Sequence, residues 1–184
     1  MAGNGQVTVS WLAPATDGGS QITAYTATAV GAGKTCTTAG ALTCVINGLT
    51  NGRAYTFTVK ATNAAGTSVA SSASPSVTPV GAPSAPRSVV ATAVAATHVV
   101  TVRWTAPSST GGASIVGYTA TMYNALTGGT VVATCTTSAV GPTSPATTCV
   151  MPAVAAGTYY VDVIATNSSG FVSPASTPRK RIIA

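Results

Sequence analysis

The 184-residue chain is long enough for two small domains, and a repeat at a constant offset of 93 divides it that way. Only 5% of its residues are charged, against roughly 25% in an ordinary soluble domain, and the mean hydropathy is +0.42, so Ser, Thr and Gly supply the wetted surface. The formal net charge of +6 sets eight Lys or Arg against Asp17 and Asp162; only Arg179, Lys180 and Arg181 are contiguous, which excludes a basic stripe for nucleic acid.

From the N-terminus, MAGNGQ leads straight into strand pattern without the basic, apolar and small-residue stretches of a secretion signal; such a signal is expected upstream or already removed. Val7, Val9 and Trp11 then alternate with Thr8 and Ser10, the period of a half-buried strand. Turn residues follow at short intervals: Pro14 with Asp17-Gly18-Gly19, Gly31 to Gly33, Asn47-Gly48, Asn51-Gly52 and Ala65-Gly66. Strands are predicted at 6–11, 22–30, 34–37, 42–47, 54–63 and 68–78, and in the second half at 87–93, 98–104, 115–123, 130–136, 147–151, 157–167 and 171–183. Tyr55, Phe57 and Val59 share one face of their strand, as do Tyr159, Val161 and Val163. No useful helical period appears, and every apolar run is broken before the roughly 18 residues a spanning helix needs. Between the halves, TPVGAPSAP (78–86) has three prolines and reads as an extended, stiff link with the domains end to end. The domains are placed at 1–80 and 81–184, each an all-β sandwich of two sheets.

The stretch VTVSWLAPATDGGSQITAYTATA (7–29) returns as VTVRWTAPSSTGGASIVGYTATM (100–122), with 13 of 23 positions identical. With LTNGRAYTFTVKATNAAGTS, these motifs resemble the fibronectin type III family as tandem pairs occur in bacterial extracellular proteins. The resemblance implies that Trp11 and Trp104 are core residues of the second strand. It also makes Tyr55, spaced from Leu49 as in a tyrosine corner, and Tyr159 the corner residues of the sixth. One departure stands out: SAPRSVVATAVAA supplies the family's first strand in the second domain, whereas the first domain begins at MAGNGQ and lacks most of that strand. Either the chain is cut short of it, or a neighbouring molecule's segment fills the open edge.

Four cysteines fall two per repeat, Cys36 with Cys44 and Cys135 with Cys149, on predicted neighbouring strands. Of three possible connectivities, pairing within each repeat is expected, and an oxidising compartment follows. Neither pair has the spacing of a metal site, and no cofactor is expected.

Catalysis needs placed acids, bases or nucleophiles, and the chain offers one histidine, His98, with two carboxylates that lack acidic partners. Asp17 belongs to a turn and Asp162 is expected to point outward between Tyr160 and Ile164, so no enzyme activity is predicted. Neither NAAGTS nor NSSGFVS carries Arg-Gly-Asp, and Asn167-Ser168-Ser169 fits a glycosylation sequon of a kind common by chance. Outward-facing Tyr123, Tyr160 and Ile164, with Phe171 nearby, form a candidate contact patch where the first repeat has Val30, Thr56 and Lys60. The function expected is a structural repeat unit of a bacterial surface appendage, fibre or layer that packs against copies of itself or other extracellular proteins. The alternative is a binding or spacer module of a larger secreted protein, such as a polysaccharide-degrading enzyme or an adhesin, with polysaccharide as a possible ligand.

Overall fold

Alternating apolar and small polar residues commit this chain to half-buried strands, and the computed structural model, which describes every residue but Pro142, contains no helix among them. The chain divides into two units, Met1–Gly81 and Ala82–Ala184. The first contains β1 (Ala2–Gly3), β2 (Gln6–Ser10), β3 (Ile22–Ala29), β4 (Lys34–Thr38), β5 (Thr43–Asn47), β6 (Phe57–Asn63) and β7 (Gly66–Thr67). The second contains β8 (Arg87–Val94), β9 (Val99–Thr105), β10 (Ile115–Tyr123), β11 (Val131–Ser138), β12 (Thr148–Met151), β13 (Thr158–Asn167) and β14 (Lys180–Ile183).

Each unit is a sandwich of two antiparallel sheets, ordered β1-β2-β5 and β4-β3-β6-β7 in the first, β12-β9-β8 and β11-β10-β13-β14 in the second. Val7, Val9, Ala27, Ile46 and Phe57 fill the first core; Val100, Val102, Trp104, Met122, Val161 and Val163 fill the second. The tyrosine corners form with opposite polarity: Tyr55 Oη accepts from the Thr50 amide (3.0 Å), and Tyr159 Oη donates to the Ala155 carbonyl (2.8 Å).

Two expected strands are replaced by something else. Over 68–78, only an isolated bridge joins Tyr55 to Val77. Instead the amides of Ser68, Ser71 and Ser74 donate to the carbonyls of Ala61, Val59 and Phe57 at 2.8, 2.9 and 2.9 Å. The amides of Ala61, Val59 and Phe57 in turn donate to the Oγ atoms of those serines at 3.0, 3.0 and 3.1 Å. Three residues of this segment thus face two of β6, and serine hydroxyls stand in for the acceptors that a regular ladder would supply. The second unit repeats the arrangement with Ser173 and Ser176 against Ala165 and Val163 before regular pairing resumes at β14.

Ala2 and Gly3 pair with Val7 and Gln6, and Met1 exchanges two 2.9 Å bonds with Thr8; beyond that, no described strand adjoins this side of β2. In the second unit β8 runs the length of β9, from Val94 opposite Val99 to Arg87 opposite Thr105.

Candidate functional site

The cystines lie at the same place in both repeats. Cys36 on β4 joins Cys44 on β5, and Cys135 on β11 joins Cys149 on β12, with Cα atoms 6.2 and 6.0 Å apart. The strands concerned are neighbours across the sandwich rather than within a sheet. Each bridge therefore ties the two sheets together along one edge.

On the outer face of β10 and β13, Tyr123 and Tyr160 lie directly opposite each other, and Ile164 lies opposite Thr119 further along. All three are half-buried. Phe171, 40% exposed, sits past the end of β13, where its carbonyl accepts from the Asn167 amide (3.0 Å). Asp162 lies between Tyr160 and Ile164 on the same face.

Asp162 occupies the outer face as its period dictates, yet it is only 5% exposed. The cause is Arg179, which the serine segment delivers just before β14. Its Nε donates to Asp162 Oδ2 at 3.0 Å, Nη1 donates to the Ala125 and Leu126 carbonyls at 3.3 and 3.2 Å, and the guanidinium lies 3.5 Å from the Tyr123 ring centroid. Burial pushes the Asp162 carboxyl above its ordinary value, while Arg179 and the Tyr123 hydroxyl pull it part of the way back. The cluster locks the β10–β11 loop to the far edge of the sheet. A lone carboxylate on a strand between Tyr and Ile, in a chain with only two, was the signal available for it; its partner, 17 residues away in a Thr-Pro-Arg turn, was not.

The other candidates are engaged structurally. Asp17 Oδ1 accepts from the Gly19 amide (2.9 Å), the turn role expected of it. His98 closes the β8–β9 turn at φ 52°, its amide donating to Val94 (2.7 Å). Asn167, the sequon residue, is 1% exposed: Nδ2 donates to Thr110, and Oδ1 accepts from the Ser169 and Phe171 amides. Asn63 does the same work in the first unit, bridging Asp17 and Ser20 to Ala65 and Gly66. Among the described residues no three His, Cys, Asp or Glu side chains cluster as a metal site.

Sequence reasoning also missed an apolar groove of about 360 Å³ in the first unit, lined by Trp11, Leu12, Pro14, Tyr25, Val59 and Val69 among others. Trp11 packs on Tyr25 with ring centroids 5.6 Å apart, as Trp104 does on Tyr118 at 5.3 Å, but Trp11 is left half-covered.

Comparison with known proteins agrees with this architecture. The fibronectin type III domain family matches residues 2–78. Chitinase A1 of Niallia circulans is 39% identical over 142 residues, 73% of this chain and 18% of the chitinase. The chain thus spans less than a fifth of that relative. Among solved structures, the FN1–FN3 domains of chicken CNTN1 superpose with a TM-score of 0.50 at 21% identity, covering 100% of this chain and 63% of theirs. Domains A168–A170 of titin do so with a TM-score of 0.51 at 19% identity, covering 99% and 60%. The first unit thus matches the fibronectin type III family, and the second repeats its sheet order and tyrosine corner, so the chain has the fold of two consecutive fibronectin type III domains.

Proposed function

We propose that this chain is a non-catalytic structural module of an extracellular protein, one that spaces or presents other parts of a larger polypeptide. The observation that carries this reading is the cross-sheet cystine repeated at the same place in both units, since such bonds persist in oxidising compartments. Similarity to a chitinase, over a small part of that enzyme's length, favours an accessory role beside a polysaccharide-degrading domain. The test is to recover the native protein, determine its intact mass and image it. A parent chain much longer than 184 residues, seen as isolated particles and carrying a hydrolase domain, is the expected result. A chain of this length with hydrolytic activity of its own would overturn the reading.

A second reading, a repeat unit that packs against copies of itself in an appendage, fibre or layer, is favoured by the outer sheet faces. Thr26 and Thr28 lie opposite Thr37 and Thr35 in the first unit; Thr119 and Thr121 lie opposite Thr136 and Thr134 in the second. Charge on these faces is sparse, with Lys60 opposite Thr26 and Arg181 opposite Tyr160, and threonine hydroxyls can exchange hydrogen bonds with those of a copy. Tyr123 and Tyr160 border the second array; Arg179 already covers one face of the Tyr123 ring, which leaves Tyr160 as the aromatic anchor for a copy or a sugar ring. On this reading, filaments or lattices are seen in native material, and Tyr160→Ser weakens association at least fivefold while moving Tm by only a few degrees. Unchanged association would remove the tyrosines from the interface.

A further inference from the structure

We propose that Asn47 is a modification site: in the folded chain its side-chain amide converts, without an enzyme, to a carboxylate through attack by the Gly48 backbone nitrogen. The chain holds two Asn-Gly pairs in the first unit, Asn47-Gly48 and Asn51-Gly52, and the fold treats them oppositely. Glycine matters in both, because a following residue without a Cβ leaves its amide nitrogen unshielded. At the second pair both reacting groups are tied down. Asn51 Oδ1 accepts from the Gly5 amide (2.8 Å), its Nδ2 donates to Asn4 Oδ1 (2.8 Å), and the Gly52 amide donates to the Pro79 carbonyl (2.9 Å).

At the first pair both groups are loose. Asn47 is the last residue of β5, an edge strand, and it is exposed. The Trp11 amide donates to the Leu42 carbonyl (3.1 Å), and by alternation along the same ladder the backbone amide and carbonyl of Asn47 turn away from β2. The chain leaves the ladder at once: the Leu49 amide, not that of Gly48, donates to Gly5 (2.9 Å). Among the described residues neither the Gly48 amide nor the Asn47 side chain has a hydrogen-bond partner. Turning the Gly48 nitrogen onto Asn47 Cγ, as closure of a five-membered ring requires, therefore breaks no hydrogen bond of either group. Lys34 supplies a charge, with Nζ 3.4 Å from the point a Cβ would occupy on Gly48. A cation there favours the amidate anion through which the nitrogen attacks. Hydroxide takes the Gly48 N–H proton, the nitrogen bonds to Asn47 Cγ, and the Cγ–Nδ2 bond breaks as ammonia leaves with a proton from water. Water then opens the succinimide, at the former side-chain carbonyl to give aspartate or at the backbone carbonyl to give isoaspartate; nothing is oxidised or reduced. The product adds a third carboxylate to a chain with two and lowers its net charge by one. Because ammonia is lost the amide is not regained, and the extent of conversion records the time since folding.

The test incubates the intact folded chain at mildly alkaline pH and follows both asparagines by peptide mapping and mass spectrometry. Asn47 should convert at least tenfold faster than Asn51, and unfolding in urea should bring the two rates together. Lys34→Met should slow Asn47 at least threefold and leave Asn51 unchanged. Asn47→Gln, whose longer side chain closes only a six-membered ring, should remove the more acidic species that isoelectric focusing resolves in the aged parent. Equal rates in the folded chain, or Asn51 the faster, overturn the proposal. So does an Asn47 rate that rises tenfold in urea, because the fold is then protecting it. An Asn47 rate unchanged in Lys34→Met overturns the part given to Lys34.

Discussion

Removing Arg179 should damage the second unit more than neutralising its partner does. In Arg179→Ala the Asp162 carboxylate keeps its burial and loses its 3.0 Å donor, and two loop carbonyls lose theirs. Breaking a fully buried pair from one side costs about 3–5 kcal/mol. The side chains are 23% and 7% exposed, so water reaches the arginine end, and the lower part of that range, about 3 kcal/mol, is appropriate. Asp162→Asn keeps the shape and leaves a guanidinium that still bonds two carbonyls and lies over Tyr123, a loss of about 1 kcal/mol. The pH dependence follows from the sign of the shift. Asp162 is held above its ordinary value in the folded state, and further above it once Arg179 is gone. Protonation therefore favours folding, so the stability this proton confers is full below the unfolded value and is lost as pH rises through the folded one. Arg179→Ala should accordingly recover stability relative to the parent as pH falls from about 7 towards 4, and Asp162→Asn should show no such recovery. Urea unfolding of each variant, followed through Trp104, measures both quantities. A deficit for Arg179→Ala no larger than that for Asp162→Asn, or one constant with pH, would refute the reasoning.

Two further substitutions test the hydrogen-bond substitutions in the fold. Ser176→Ala leaves the buried Val163 amide without its acceptor and should cost about 1–3 kcal/mol in urea unfolding; Ser71→Ala, whose bond to Val59 is exposed to water, should cost measurably less. Asn167→Ala removes the bonds to Thr110, Ser169 and Phe171 that tie a loop to Thr110 and to β13, so a loss of at least about 2 kcal/mol is expected. Because that side chain is committed inside the fold, intact mass of protein secreted by a glycosylating host should show no glycan at Asn167.

What was legible in the sequence is what period and repetition encode. Val7, Val9 and their counterparts Val100 and Val102 declare an inward face twice, at a fixed offset, and the cysteine pairs fall at matching points in both repeats. The last strand of each domain was misread because the expected alternation gives way to serines at 68, 71 and 74, and at 173 and 176, which bond to the backbone with a period of three. That period is visible in the chain, but it signals a strand substitute only once β6 and β13 are in place beside it. The Arg179–Asp162 contact and the groove lined by Trp11, Tyr25 and Val69 both arise where segments distant in sequence meet, and no local pattern marks either. An outward residue on a strand reads as exposed until a long side chain from the next element is laid across it, as Arg179 is across Asp162.

The claim on which the account depends most is that both cystines are closed in the protein's own environment. Their loops of 9 and 15 residues, from separations of 8 and 14, contribute about 2.6 and 3.0 kcal/mol in the loop-entropy treatment. The direct measurement is alkylation of the native protein, isolated without reductant, followed by intact mass and peptide mapping. The account predicts no alkylated cysteine, linked peptides containing Cys36 with Cys44 and Cys135 with Cys149, and a lower urea midpoint after reduction with the strand content kept. Four alkylated thiols would contradict it, and with it the assignment to an extracellular protein.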